Sequence, residues 1–200
     1  MKGSAARGHS VDKMQQALSP AAVERPRAAE ATEEVFREHA GLVSRWARAL
    51  AGPGIDPEDV VQEVFVVVHA RLPGFRGDSK LTTWLFGITA NVVRRKRRRD
   101  RWRRWLGGTA DEVAGHLAAE GESGTDSLER QETRAKVYAV LEGMSEKYRN
   151  ALILFEMEER SAAEIAELTG AREGTVWVWL HRARADFLKR LETLEREGGR

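Results

Sequence analysis

The chain has 200 residues, 42% of them hydrophobic, enough for packed cores in one large domain or two small ones. Its 33 basic and 31 acidic residues leave a formal net charge of +2, so affinity for an anionic partner has to come from how the charges are distributed. It has no cysteine, which excludes disulfides, a thiolate nucleophile and any cysteine-ligated zinc or iron–sulfur site.

Residues 1–30 are rich in Ala, Ser, Gly, Arg and Pro, with no helical period and no continuous apolar run. They read as a mobile, disordered tail rather than a signal peptide. No segment approaches membrane-spanning length, so a cytoplasmic protein without membrane insertion is expected. A helical pattern covers residues 33–50, with Val35, Phe36, Leu42, Val43, Trp46 and Leu50 at three- and four-residue intervals, and residues 51–54 (Ala-Gly-Pro-Gly) break it.

The next helix start is well marked. Asp56 suits the cap, Pro57 the first helical position, and Glu58 and Asp59 place negative charge in the first turn, where the helix dipole favours it. This helix runs through Val60, Val64 and Val68 to Pro73-Gly74, although residues 64–68 (Val-Phe-Val-Val-Val) also have strand propensity. A third helix begins at Leu81 and passes through Trp84, Leu85, Ile88 and Val92 into a basic run.

Residues 106–130 have the composition of a flexible linker, with Gly107, Gly108, Gly115, Gly121 and Gly124 among small and acidic residues. One helical turn is expected near residues 113–117. Helical periodicity resumes at Val137, restarts after Ser145 and after Ser161, and ends with a long stretch over residues 174–194. The expected fold is all-α: two small helical domains, residues 31–105 and 131–196, joined by the linker.

Four groups of residues carry chemistry. Residues 161–184 combine a capping box at Ser161 and Glu164, a short apolar helix, a Gly-containing turn at residues 169–172 and a second helix with Val176 and Leu180 inward. That is a helix-turn-helix, whose second helix enters the major groove; the bland alternative is a helical hairpin with a solvated basic face. In residues 94–105, nine of twelve side chains are cationic and two, Trp102 and Trp105, are tryptophans. If helical, the run is charged on every face and needs an anionic partner, with nucleic acid the obvious one. The tryptophans would either pack on the preceding helix, the expected role for at least one of them, or stack on bases.

The third group is the loop Pro73-Gly74-Phe75-Arg76-Gly77-Asp78-Ser79-Lys80, whose aromatic, glycines and short polar groups suit the capture of an extruded base, though an ordinary interhelical turn would look similar. The fourth is the acidic helix face of Asp59, Gln62 and Glu63, which on its own reads as solvated. No catalytic site, metal site, cofactor loop or small-molecule substrate site is found: the five histidines are dispersed, no H-E-x-x-H spacing occurs, and no phosphate-binding glycine loop is present.

Residues 56–65 (DPEDVVQEVF), 75–79 (FRGDS) and 83–91 (TWLFGITAN) resemble conserved region 2 of the extracytoplasmic-function sigma factors. Residues 161–184, with Glu164-Ile165-Ala166, Gly174-Thr175-Val176 and Leu180-His181-Arg182-Ala183-Arg184, resemble region 4 of the same family. The resemblance covers residues 33–105 and 132–194, in the family's order. It implies that Asp59, Gln62 and Glu63 dock on the clamp helices of core RNA polymerase. It further implies that Phe75, Arg76, Gly77, Asp78, Ser79, Lys80 and Asn91, with Arg94, Arg95 and Arg98, bind the opened minus ten promoter element. Arg172, Glu173, Thr175, Val176, Trp179, His181, Arg182 and Arg184 would read the minus thirty-five element. Partners implied are core polymerase, promoter DNA and an anti-sigma factor. Two departures stand out: Trp177-Val178-Trp179 replaces the Lys, Ser and Arg common in the family, and Leu81 replaces a usual aromatic. With two adjacent tryptophans pointing in different directions, one is expected in the core and the other outside. The alternative function is a stand-alone helix-turn-helix repressor or activator; a nuclease would need ligands or a nucleophile that the chain lacks.

Overall fold

The computed structural model describes residues 20–106 and 125–198, and among these it contains α-helices and no strands. The elements are α1 (Pro20–Ala51), α2 (Pro57–Arg71), a 3-10 turn (Leu72–Gly74), α3 (Leu81–Trp105), α4 (Thr125–Gly143), α5 (Glu146–Glu156), α6 (Ala162–Thr169) and α7 (Glu173–Gly198). The helical turn expected near residues 113–117 lies outside the described residues.

Local rules place the starts. The Asp56 side chain accepts from the Glu58 amide at 2.8 Å, and Pro57 opens α2 without wasting a donor. The valine run of α2 is helical because its apolar residues are needed at helical spacing. Val60, Val64 and Val68 are fully buried while Val66 is 68% exposed; a strand would have put 64, 66 and 68 on one face. Each buried valine contributes about 1.5–3 kcal/mol. Helix α1 starts at Pro20, so residues 20–30, expected in the disordered tail, are helical instead: an alanine-rich stretch favours helix without needing an apolar stripe, and periodicity therefore does not register it.

Helices α1, α2 and α3 pack pairwise around Val43, Trp46, Leu50, Val64, Leu85 and Phe86, with Trp46 edge-on to Phe86 at 5.3 Å. Helices α4, α5 and α6 pack on α7, around Leu141, Ile153, Leu154, Ile165 and Leu180. The two sets also meet each other: α3 packs on α6 and α1 on α5, and the apolar core runs through both. Tyr138 of α4 donates its hydroxyl to the Ala49 carbonyl at 3.1 Å and lies against Gly52, whose φ of +73° and lack of Cβ let the ring approach; a Cβ there would come within 2.6 Å of the ring. Buried Arg97 donates to the Leu50 carbonyl at 3.0 Å and faces Glu142 at 3.8 Å. Burial, with Arg97 nearby, lowers the Arg149 guanidinium to about 10.

Candidate functional site

The acidic face of α2 and the basic run of α3, separate features in the sequence, form one seam. Glu63 accepts from Arg95 at 2.6 Å and lies 3.6 Å from Lys96, which is itself 3.7 Å from Asp59. Gln62 is exposed beside them. The seam follows from geometry: α2 and α3 are antiparallel neighbours in the first helical set, so the start of one meets the far half of the other. Charges of both signs therefore stand on one surface, with Asp59 and Gln62 exposed and Glu63 half-buried.

The loop between the 3-10 turn and α3 is built around an aromatic pair. Phe75 lies 5.0 Å from Trp84, tilted by 39°, and the Phe75 amide donates to the Leu72 carbonyl. Gly77 adopts φ +75°, a turn that its missing side chain makes easy. Arg76 pairs with Asp78 at 3.2 Å, and Ser79 is exposed. Trp84 and Asn91 are about two turns apart on α3, so they share one face, and Asn91 is exposed. An aromatic floor with an exposed amide about 10 Å further along the same helix is an arrangement that can stack on a base and hydrogen-bond its edge. Trp84 was read in the sequence as a helix residue and as part of the stretch resembling region 2, with no role in the site; its partnership with Phe75 adds it to this candidate site. Arg94 reaches toward Glu146 at 3.7 Å, whereas Arg98 is exposed.

In the helix-turn-helix, Ser161 Oγ accepts from the Glu164 amide at 3.2 Å and the Glu164 carboxylate accepts from the Ser161 amide at 2.8 Å. The bonds donated to the carboxylate, from the Ser161 amide first, then from the Ser161 hydroxyl at 2.8 Å and from Arg160 at 3.0 Å, hold the Glu164 carboxyl at about 2. Gly170 ends α6 in the left-handed region at φ +67° and turns the chain into α7. Arg172, Glu173, Thr175, His181 and Arg182 are exposed. Val176, placed above among the residues reading DNA, is fully buried with Leu180 and Ala183; its side chain packs the motif's core and offers nothing to a groove. Val178 takes its place outside, 47% exposed and in phase with Thr175 and Arg182, a residue that three- and seven-residue spacing from Thr175 could have found. Of the two tryptophans, Trp179 packs on the core and Trp177 is 49% exposed, edge-on to Phe155 at 5.9 Å. Arg184 is engaged within the fold: it donates twice to Glu156, at 3.0 and 2.8 Å, and lies over Phe155. Arg182 donates to the Tyr148 hydroxyl at 3.4 Å, which lowers the Tyr148 phenol below its ordinary value.

Among the described residues no helix is long and apolar enough to cross a membrane, and no group of three or more His, Cys, Asp or Glu is placed to hold a metal ion.

Residues 35–103 match the family model described as Sigma-70 region 2, and residues 134–187 match Sigma-70, region 4. The RNA polymerase sigma-H factor of Pseudomonas aeruginosa is 33% identical over 152 residues, spanning 71% of this chain and 76% of that protein. The ECF RNA polymerase sigma-E factor of Escherichia coli is 31% identical over 163 residues, spanning 78% and 82%. Two solved structures share the fold. One is the sigma factor RpoE in complex with the anti-sigma factor NepR from Bartonella quintana (TM-score 0.52, 24% identity, 80% of this chain and 96% of that one). The other is CnrH in complex with the cytosolic domain of CnrY (TM-score 0.51, 23% identity, 86% and 96%).

Proposed function

The chain belongs to the extracytoplasmic-function branch of the sigma-70 family, the transcription initiation factors that bring RNA polymerase to promoters, and on that premise we propose how its residues divide the work. Residues 31–105 bind core polymerase and the minus ten element, residues 131–196 bind the minus thirty-five element, and residues 106–130 link them. The exposed edge of the α2 seam, Asp59 and Gln62 with Glu63, docks on the polymerase clamp. In the free chain Arg95 and Lys96 hold those carboxylates in position. The Arg95–Glu63 pair is largely exposed and worth about 0.2–1 kcal/mol, so exchanging it for contacts with a partner costs little, while Lys96, only 11% exposed, stays in place beneath the seam.

Promoter opening needs no bond chemistry from this chain. A base of the non-template strand leaves the stack, lies on the Phe75–Trp84 pair and is read by Asn91, while Arg76, Lys80, Arg94 and Arg98 neutralise nearby phosphates. Arg95 joins them once it is released from Glu63. In the upstream element Arg172, Thr175, Val178 and Arg182 face the groove, with Glu173 and His181 at its edge. Trp179 positions the helix from beneath, and Arg184 does the same through Glu156. Fewer cations face outward here than the family pattern supplies, so the preferred upstream sequence is this protein's own. The chain is assigned no catalytic role, it works in the cytoplasm, and an anti-sigma factor is its inhibitory partner. That last assignment is supported by the two structural neighbours, each of which was solved with such a partner or its cytosolic domain.

The observation that carries this reading is the presence of both family regions, in order, on one chain. A stand-alone repressor would need the helix-turn-helix and leave the α2 seam and the Phe75–Trp84 pair without a task. The test is to assemble the full chain with core polymerase and sequence the DNA that co-purifies. A shared two-part motif in that DNA supports the reading, and DNA no different from that held by core alone overturns it.

A further inference from the structure

Helix α3 outlasts the body it packs on. Val92, Val93 and Arg97 are buried, but Arg101, Trp102, Arg103 and Trp105 in its last turn and a half are all exposed. The two tryptophans were expected from the sequence to find packing on the preceding helix for at least one of them; among the described residues they stack on each other instead. Their rings stack with centroids 5.4 Å apart and planes 9° from parallel, and they are 58% and 74% exposed. Around them Arg95, Arg98, Arg99 and Arg101 enclose an open cavity of about 730 Å³. Among the described residues Arg98, Arg99 and Arg101 make no ion pair. An apolar, flat, rigid surface of this kind left in water is unfavourable and gains free energy when a partner covers it.

The position of the ledge points to its ligand. Trp84 and Trp102 are five turns apart, at about 3.6 residues per turn, so they lie on the same face of α3, with Asn91 and Arg95 between them on that face. The separation along the axis is about 27 Å. One helix face thus begins at the base-stacking pair, passes an amide and guanidinium groups, and ends at a second aromatic surface ringed by arginines. In a duplex the flat faces of the bases are covered by their neighbours. Only an unpaired base can lie flat on Trp102 or Trp105, while the arginines meet the phosphates of the same strand. A lipid surface fits less well, since Trp102, Trp105 and Leu106 form a narrow apolar edge hemmed by cations rather than a face that could enter a bilayer.

We propose that Trp102 and Trp105 form a second stacking platform, which holds an unpaired DNA strand several nucleotides from the base captured at Phe75 and Trp84. The inference rests on the promoter-opening function proposed above. It gives the exposed tryptophans a role in keeping the opened region apart.

The experiment uses the full chain assembled with core polymerase and promoter fragments of three kinds: fully paired, unpaired only over the minus ten bases, and unpaired over a stretch extended from there in both directions. For Trp102→Ala/Trp105→Ala the platform predicts about tenfold weaker binding to the extended unpaired fragment, with the short one and the duplex bound as before. Trp102→Phe/Trp105→Phe is expected to restore binding to within about twofold, because stacking needs a ring rather than an indole. Arg99→Gln/Arg101→Gln is expected to flatten the salt dependence on the extended fragment. Equal loss on all three fragments, no loss on any, or failure of the phenylalanine variant to rescue overturns the proposal. So does a double alanine variant that loses binding to anionic phosphatidylserine vesicles while its DNA binding stays intact. Both sites are exposed, so none of these substitutions threatens the fold. The readouts also separate this inference from the one beneath it. Should Phe75→Ala leave the short fragment bound as tightly as before, the base-capture reading fails whatever the tryptophans do.

Discussion

Lys80 Nζ stands 2.9 Å from Glu167 Oε1, and three residues on the Thr83 hydroxyl donates to the Glu167 carbonyl at the same distance. The loop assigned to the minus ten element is thereby tied to the first helix of the motif assigned to the minus thirty-five element. On straight duplex those elements are about 85 Å apart, at roughly 3.4 Å per base pair, so both cannot be occupied while this contact lasts. The ion pair is largely exposed and worth at most about 1 kcal/mol, but the apolar core shared by the two helical sets, with Tyr138 against Gly52, must part as well, so the separation is driven by the binding free energy of polymerase and promoter. The chain has no cysteine, so spin labels at Arg71→Cys and Ala163→Cys report this directly. A short separation in the free chain that lengthens by tens of ångströms in the promoter complex is expected; the same separation in both states would contradict the assignment of the two DNA sites.

Charge reversal on the α2 seam has two expected effects of different size. Asp59→Lys/Glu63→Lys removes the partners of Arg95, where an exposed pair is worth about 1 kcal/mol or less, and of Lys96, whose side chain is only 11% exposed and is left facing like charge, so thermal unfolding should fall by several degrees with the fold retained. Binding to core polymerase, measured by fluorescence anisotropy, should fall by tenfold or more. Unchanged polymerase affinity would remove this seam from the interface.

Phe75→Ala and Asn91→Ala separate opening from docking. Stacking on an aromatic contributes about 1–3 kcal/mol per base and a base-edge contact a similar amount. Open-complex formation followed by permanganate reactivity should fall about tenfold in either variant, while binding of the holoenzyme to closed duplex changes little. Equal loss of both would sink the base-capture role.

Much of this was legible in the sequence wherever the determining forces are local. The Asp56 cap, the Ser161–Glu164 capping box and the Gly170 turn each involve residues two to five apart, and all three form as the spacing predicts. What stayed hidden needs contacts across the fold. Nothing local pairs Glu63 with Arg95, 32 residues away, so the acidic face and the basic run read as unrelated features. The Phe75–Trp84 pair depends on how the loop folds back over the start of α3. The helical period alone turned both Val176 and Leu180 inward, as they are found; only the family motif, which runs through Val176, set it among the DNA-facing residues. Periodicity also could not tell that α3 outruns its support, which is what leaves Trp102 and Trp105 uncovered.

The two tyrosines offer a check on the packing between the helical sets. Burial raises the Tyr138 phenol above its ordinary value of 10.0, and the hydrogen bond from Arg182 lowers that of Tyr148. An ultraviolet absorbance titration should show two steps, one on each side of pH 10; Tyr138→Phe should delete the upper step and Tyr148→Phe the lower. Because the Tyr138 value is higher folded than unfolded, its contribution to stability is present below pH 10 and is lost as pH rises through the raised value. Stability should therefore fall less steeply above pH 10 in Tyr138→Phe. A single step at pH 10 would mean that Tyr138 is not packed between the Ala49 carbonyl and Gly52.

The most direct test of the central claim is transcription itself. Core polymerase is incubated with a pool of promoter fragments, with and without the full chain, and the starts of the transcripts are mapped. Initiation at a discrete set of sites that share spaced upstream and downstream motifs, dependent on the chain and lost in Asp59→Lys/Glu63→Lys, is the predicted result. Initiation indifferent to the chain, with the chain alone binding duplex tightly and sequence-specifically, would contradict it.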